Sequence, residues 1–193
     1  TVVLVLLTRR ALRRRPRRWS QSDLTVAAAF GMVLATMNVA IYESFARIPL
    51  GIAVTIEFLG PLGVAVAFSR RRLDLVWVLL AGAGVLLLTR GDAGSVNAAG
   101  VGFALLAAAG WAAYILLSAA TGRRFPGSSG LALASVVGTL LVLPLGVVSG
   151  GTDLLRPQYL VIGAGIGLLS SVIPYTFELE ALRRLPAKLF GIL

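Results

Sequence analysis

Glu57 lies near the centre of an apolar run, IPLGIAVTIEFLGPLGVAVAF (Ile48–Phe68), that is long enough to cross a bilayer. A carboxylate at the bilayer centre costs roughly 2.5–3.5 kcal/mol on insertion scales, so it is tolerated where it faces a bundle interior, a wet cavity or a partner. The chemistry open to it is binding of a proton or of a substrate amine. The two compete for one carboxylate, and that competition can exchange one for the other. The alternative is a structural acid hydrogen-bonded to a neighbouring helix. Pro61 adds to the first reading. It has no N–H, so in a continuing helix the carbonyl of Glu57, four residues back, has no donor.

Three further groups have spacings that could line a polar site. Asn38 and Tyr42 stand four residues apart on one helix face, as the lining of a substrate site would. The alternatives are an interhelical hydrogen bond for Asn38 and an interfacial aromatic belt for Tyr42. Glu43, nearer the interface, is expected to be solvated or paired with Arg47. Trp111, Tyr114 and Ser118 share a face, and Trp111 falls about mid-membrane, below the usual aromatic belt; cavity lining and ring packing between helices compete there. Ser171, Tyr175 and Glu178, at i, i+4 and i+7, also share a face, beside Pro174, which frees the carbonyl of Ser170. Glu178 and Glu180 could instead mark a helix end near Arg183 and Arg184.

The elements that must position these residues follow from composition. The chain of 193 residues is 58% hydrophobic and 13% charged, with a mean hydropathy of +0.90. Soluble proteins are nearer ~45–50% apolar and ~25% charged. The fold class expected is all-α, a polytopic helical membrane protein. No cysteine or histidine is present. That removes disulfides, thiolate chemistry, the commonest metal ligand and the commonest general base. The acids are scattered without a metal-ligand cluster, so neither a metal nor any cofactor is expected. No G-x-x-x-x-G-K-[ST] loop is present for ATP-driven pumping.

Apolar runs suggest spans at about 24–44, 48–68, 75–90, 99–121, 130–149 and 158–182. Thr1–Thr8 reads as the end of a further helix and Pro186–Leu193 as the start of another, so the chain is expected to begin and stop inside helices. Fifteen of the eighteen basic residues fall in alternate loops: in 9–18, 70–72, 123–124 and 183–188. The others hold only Arg47, Arg90 and Arg156. By the positive-inside rule the Arg-rich loops are cytoplasmic. The formal charge of +10 therefore points to the lipid bilayer as a partner and not to nucleic acid.

ESFARIP at 43–49 matches EALRRLP at 180–186 at glutamate, arginine and proline, 137 positions apart. The arginine assignment puts the two segments on opposite sides of the membrane, five helices apart. Inverted repeats of this kind characterise secondary transporters, whose site lies between the halves near the midplane. On that repeat Asn38 and Tyr175 are equivalent. The domain reading is 1–90 as the end of a first five-helix repeat and 99–193 as a second.

YESFARIPLGIAVTIEFLGPLGVAVAFSRR (Tyr42–Arg71), GWAAYILLS (Gly110–Ser118) and IPYTFELEALRRLPAKLFGIL (Ile173–Leu193) resemble, in that order, the EamA group of the drug/metabolite transporter superfamily. The likeness is greatest to its threonine/homoserine exporter branch. The resemblance implies a ten-helix fold of two inverted five-helix repeats, here truncated at both ends. It also implies proton-driven export of small amino acids or related metabolites by alternating access, in the inner membrane. Glu57, Asn38, Tyr42, Trp111, Tyr114, Tyr175 and Glu178 are the candidates for binding substrate or coupling protons, and Pro61 and Pro174 the candidate helix breaks. A non-transport scaffold or assembly subunit is the competing reading, and an intramembrane enzyme is opposed by the missing Cys and His. Nothing in the sequence specifies an oligomeric state.

Overall fold

A computed structural model describes residues 19–68, 97–151 and 156–184, with isolated positions between 76 and 87. The expected 75–90 span as a whole, the runs Thr1–Thr8 and Pro186–Leu193, and the arginines of 9–18 and 70–72 lie outside the described residues, as do Arg90, Lys188 and the side chains of Ser171, Arg183 and Arg184. The elements are α1 (Gln21–Phe45), α2 (Leu50–Glu57), α3 (Leu59–Ala67), α4 (Ala98–Arg124), α5 (Ser129–Gly150), α6 (Pro157–Gly167), a π-helical turn (Leu168–Val172) and α7 (Ile173–Arg184). No strand occurs among the described residues.

Local chemistry sets the helix ends. Ser20 and Asp23 form a reciprocal capping box at the start of α1: each backbone N–H donates to the other's side-chain oxygen at 3.1 Å. Asn97 Oδ1 accepts from the Ala99 and Gly100 N–H groups at 2.9 and 3.3 Å and so starts α4. Pro49 sits at the N-cap of α2. Pro157 opens α6, where its missing N–H costs nothing. Gly151 ends α5 with φ +50°, a conformation open to glycine.

Five stretches are long and apolar enough to cross a membrane: Gln21–Phe45, Leu50–Ala67, Ala98–Arg124, Ser129–Gly150 and Pro157–Glu178. They fall on the expected spans outside 75–90. Leu140, Leu143, Val148, Val161 and Leu169 are exposed on α5, α6 and the π-helical turn. In water such faces would need cover, whereas hydrocarbon solvates them. This is an all-α, polytopic membrane protein.

The chain divides into two compact units, one from residues 19–35 and 117–184 and one from the described residues of 36–116. In the first, α1, α4 and α5 pack on one another. Trp19 meets Phe125 edge-on at 5.4 Å, and Arg124 donates to Ser22 Oγ at 2.8 Å. Gly31 of α1 lies against Ala134 and Val137 of α5, and Gly130 of α5 lies against Thr121. In the second, Ile41, Ile48, Ile52, Ile56, Ala104 and Ala107 form the heart of an apolar core between α1, α2 and α4.

Candidate functional site

The run around Glu57 is a broken helix. α2 ends at Glu57, Phe58 forms a turn with φ −62° and ψ −16°, and α3 begins at Leu59. The Phe58 N–H still donates to Val54 at 3.0 Å, and Leu62 resumes with a longer 3.3 Å bond to Phe58. Between them Pro61 has no N–H to offer the Glu57 carbonyl. The interruption therefore falls where the proline requires it, and it places the acid at the junction. Glu57 is half-buried. Among the described residues no group hydrogen-bonds or ion-pairs with its carboxylate.

Two close approaches set what surrounds this junction. Gly60 is buried, and a Cβ there would run into the Ala108 backbone carbonyl, so α3 and α4 touch backbone to backbone. On the far side of α4, a Cβ on Gly110 would stand 3.0 Å from Met37 Cβ, which brings α1 in. The Phe58 and Trp111 rings then meet with centroids 5.1 Å apart and planes tilted by 48°. The ring contact joins the residue next to Glu57 to α4, while Met37, next to Asn38, packs on α4 at Gly110. Asn38 and Trp111 are both half-buried.

The other candidates are placed differently. Tyr42 is 64% exposed, with its ring edge-on to Phe45 at 5.9 Å. Tyr114 is 1% exposed and Ser118 fully buried. Glu43 pairs with Arg47, whose guanidinium also donates to the Glu43 carbonyl at 2.6 Å and lies 4.8 Å from the centre of the Phe103 ring. Tyr175 and Glu178 are half-buried on α7, in the other unit. Pro174 follows a π-helical turn in which the Ile173 N–H reaches back to Leu168, and Ser170 Oγ donates to Ile166 at 2.7 Å. A turn with one extra residue relieves the clash and missing donor that proline imposes.

Two features of the site were missed by sequence reasoning. Phe58 reads in the sequence as one more apolar residue, although its position beside Glu57 and before Pro61 marks it. Ser44 carries no sequence signal, yet it is fully buried and donates to the Gly100 carbonyl at 2.9 Å, tying the end of α1 to the start of α4. Among the described residues no group of His, Cys, Asp and Glu is placed to hold a metal ion.

An acid at a helix break, with no partner among the described residues, set in one of five helices long and apolar enough to span a membrane, defines a multi-pass helical membrane protein with a polar interruption in an apolar run. Comparison with known proteins gives the family. Residues 98–193 match the EamA-like transporter family, and the chain carries a domain of that family. It is 40% identical over 166 residues to the threonine/homoserine exporter RhtA of Escherichia coli (strain K12) and to that of Salmonella typhimurium (strain LT2). The matched stretch is 85% of this chain and 56% of either relative, so the chain spans just over half the length of the curated relatives it matches. No solved structure matches it.

Proposed function

We propose that this protein is a secondary exporter of threonine- or homoserine-like small amino acids, coupled to protons and working by alternating access in the inner membrane, with the Arg-rich loops on the cytoplasmic side. The likeness to the two exporters supports the transport class and the substrate class, and it opposes an enzymatic reading. One structural observation supports a site: the Glu57 carboxylate, half-buried at the α2–α3 break, has no partner among the described residues. A structural acid has a fixed partner, whereas an exchange site must leave its carboxylate available to transient cations.

In this reading Glu57 takes the substrate ammonium or a proton in turn, because one carboxylate holds one of them at a time. Asn38 and Trp111 orient the substrate. Tyr42, Tyr114, Tyr175 and Glu178 are the remaining lining candidates, and Pro61 and Pro174 the helix breaks. Residues 1–90 belong to the first of two inverted repeats and 99–193 to the second.

The test is counterflow of labelled threonine in proteoliposomes, with and without an imposed pH gradient, using Glu57 and Glu57→Gln proteins. Saturable, gradient-sensitive flux that is lost in the glutamine form is the expected result. Equal gradient-driven flux from both proteins removes Glu57 from the mechanism. Folded protein with no flux above empty liposomes removes threonine, and failure across a panel of small amino acids would favour the scaffold reading.

A further inference from the structure

Hydroxyl side chains inside helices are normally satisfied by their own backbone, four residues back. Thr25, Thr55, Thr139, Ser170 and Thr176 do this here, donating at 2.6–2.9 Å. Ser118 and Thr121 do not. Both are on α4, three residues apart and therefore neighbours on one face. Both are 0% exposed, and neither hydroxyl oxygen has a hydrogen-bond partner among the described residues.

Packing explains why Thr121 does not simply turn to its own backbone. Its Cγ2 methyl fills the space beside Gly130 that a Cβ there would need, and the Phe125 ring borders the same space. Rotating the side chain would withdraw that methyl from contact, and a β-branched residue has few rotamers to choose from. Two adjacent buried hydroxyls left without partners are a strong demand for a guest, and buried waters typically satisfy such groups with about three hydrogen bonds each.

We propose that Ser118 and Thr121 form an internal hydration site, holding an ordered water between their hydroxyls where α4 packs against α1 and α5. The guest is neutral. No Asp, Glu, Lys or Arg is among the buried described residues, and an ion taken out of water without a countercharge is far costlier to hold than a water molecule. This site lies in the unit formed by 19–35 and 117–184, apart from the Glu57 junction, and does not depend on the export reading.

Two measurements on the whole protein in detergent test it. The first is the melting temperature of Ser118→Ala, Thr121→Val and the double variant. A shared water predicts that each single change lowers it, because one hydroxyl and the water lose a partner. The double change, which removes the whole polar demand, should recover much of the loss. The second is radiolytic hydroxyl-radical labelling of the Phe125 ring, which is 3% exposed and is reached by radicals only if water lies close by. Labelling is expected in the unaltered protein and in Thr121→Ser, and it should fall to background in the double variant. Additive effects of the two substitutions, of either sign, overturn the proposal. So does an unlabelled Phe125 in the unaltered protein, which can be read without any variant having to fold.

Discussion

Alanine at position 60 is a sharp probe of the site, because glycines three residues apart on α3 have opposite surroundings. Gly60 is buried with its Cα against the Ala108 carbonyl, whereas a Cβ on Gly63 would meet nothing within 4 Å. Both substitutions gain the same intrinsic term, about 0.5–1 kcal/mol from replacing glycine by alanine in a helix. Only Gly60→Ala must also make room, and the obstacle is main chain, which cannot yield by changing rotamer. Overpacking of this kind costs typically about 1–3 kcal/mol. The expected net is a loss of roughly 1–2 kcal/mol for Gly60→Ala and a small gain for Gly63→Ala, a difference of a few degrees in melting temperature at roughly 2–4 °C per kcal/mol. Because α3 carries the break beside Glu57, the same change should displace Phe58 from Trp111. The assay is thermal unfolding of the purified protein in detergent, followed by tryptophan fluorescence, with the two variants side by side. If Gly60→Ala melts with or above Gly63→Ala, then α3 does not lie against α4 as described, and the neighbourhood built around Glu57 falls with it.

Ser44→Ala removes the buried hydrogen bond to Gly100 and should cost about 0.5–1.5 kcal/mol, measurable in the same melts; no change would mean that the bond does not hold α1 to α4. Glu43→Gln breaks a partly exposed pair four residues apart, worth at most about 0.5 kcal/mol, and its melting curve should overlay that of the parent protein. Trp111→Leu loses a ring pair worth about 0.5–1.5 kcal/mol beyond its buried area. If Trp111 orients substrate, the half-saturating threonine concentration in counterflow should rise by more than in Phe58→Leu, and equal rises in both would reduce Trp111 to packing. Glu57→Gln should leave the melting temperature nearly unchanged while abolishing gradient-driven counterflow, since an acid with no fixed partner contributes little to folding.

Much of this molecule was legible in the chain. Five of the six expected spans were, because bilayer thickness fixes the length of an apolar run. The break after Glu57 was, because a missing N–H acts on its own helix whatever surrounds it. So was the Glu43–Arg47 pair, which needs only the pitch of one helix. What the tertiary structure decided is which of several similar residues matter. Gly60 and Gly63 read alike in sequence, and only their contacts show that one is a point of close approach and the other open. Phe58 became a site residue through a ring on a different helix, and Ser44 through a carbonyl 56 positions away. Thr55 and Thr121 are both helical threonines in apolar runs, yet Thr55 bonds to its own backbone and Thr121 is held off it by the methyl contact with Gly130. Hydropathy and local stereochemistry act along the chain and are written in it. Burial and close packing depend on which helix becomes the neighbour, and that is settled only when the helices come together.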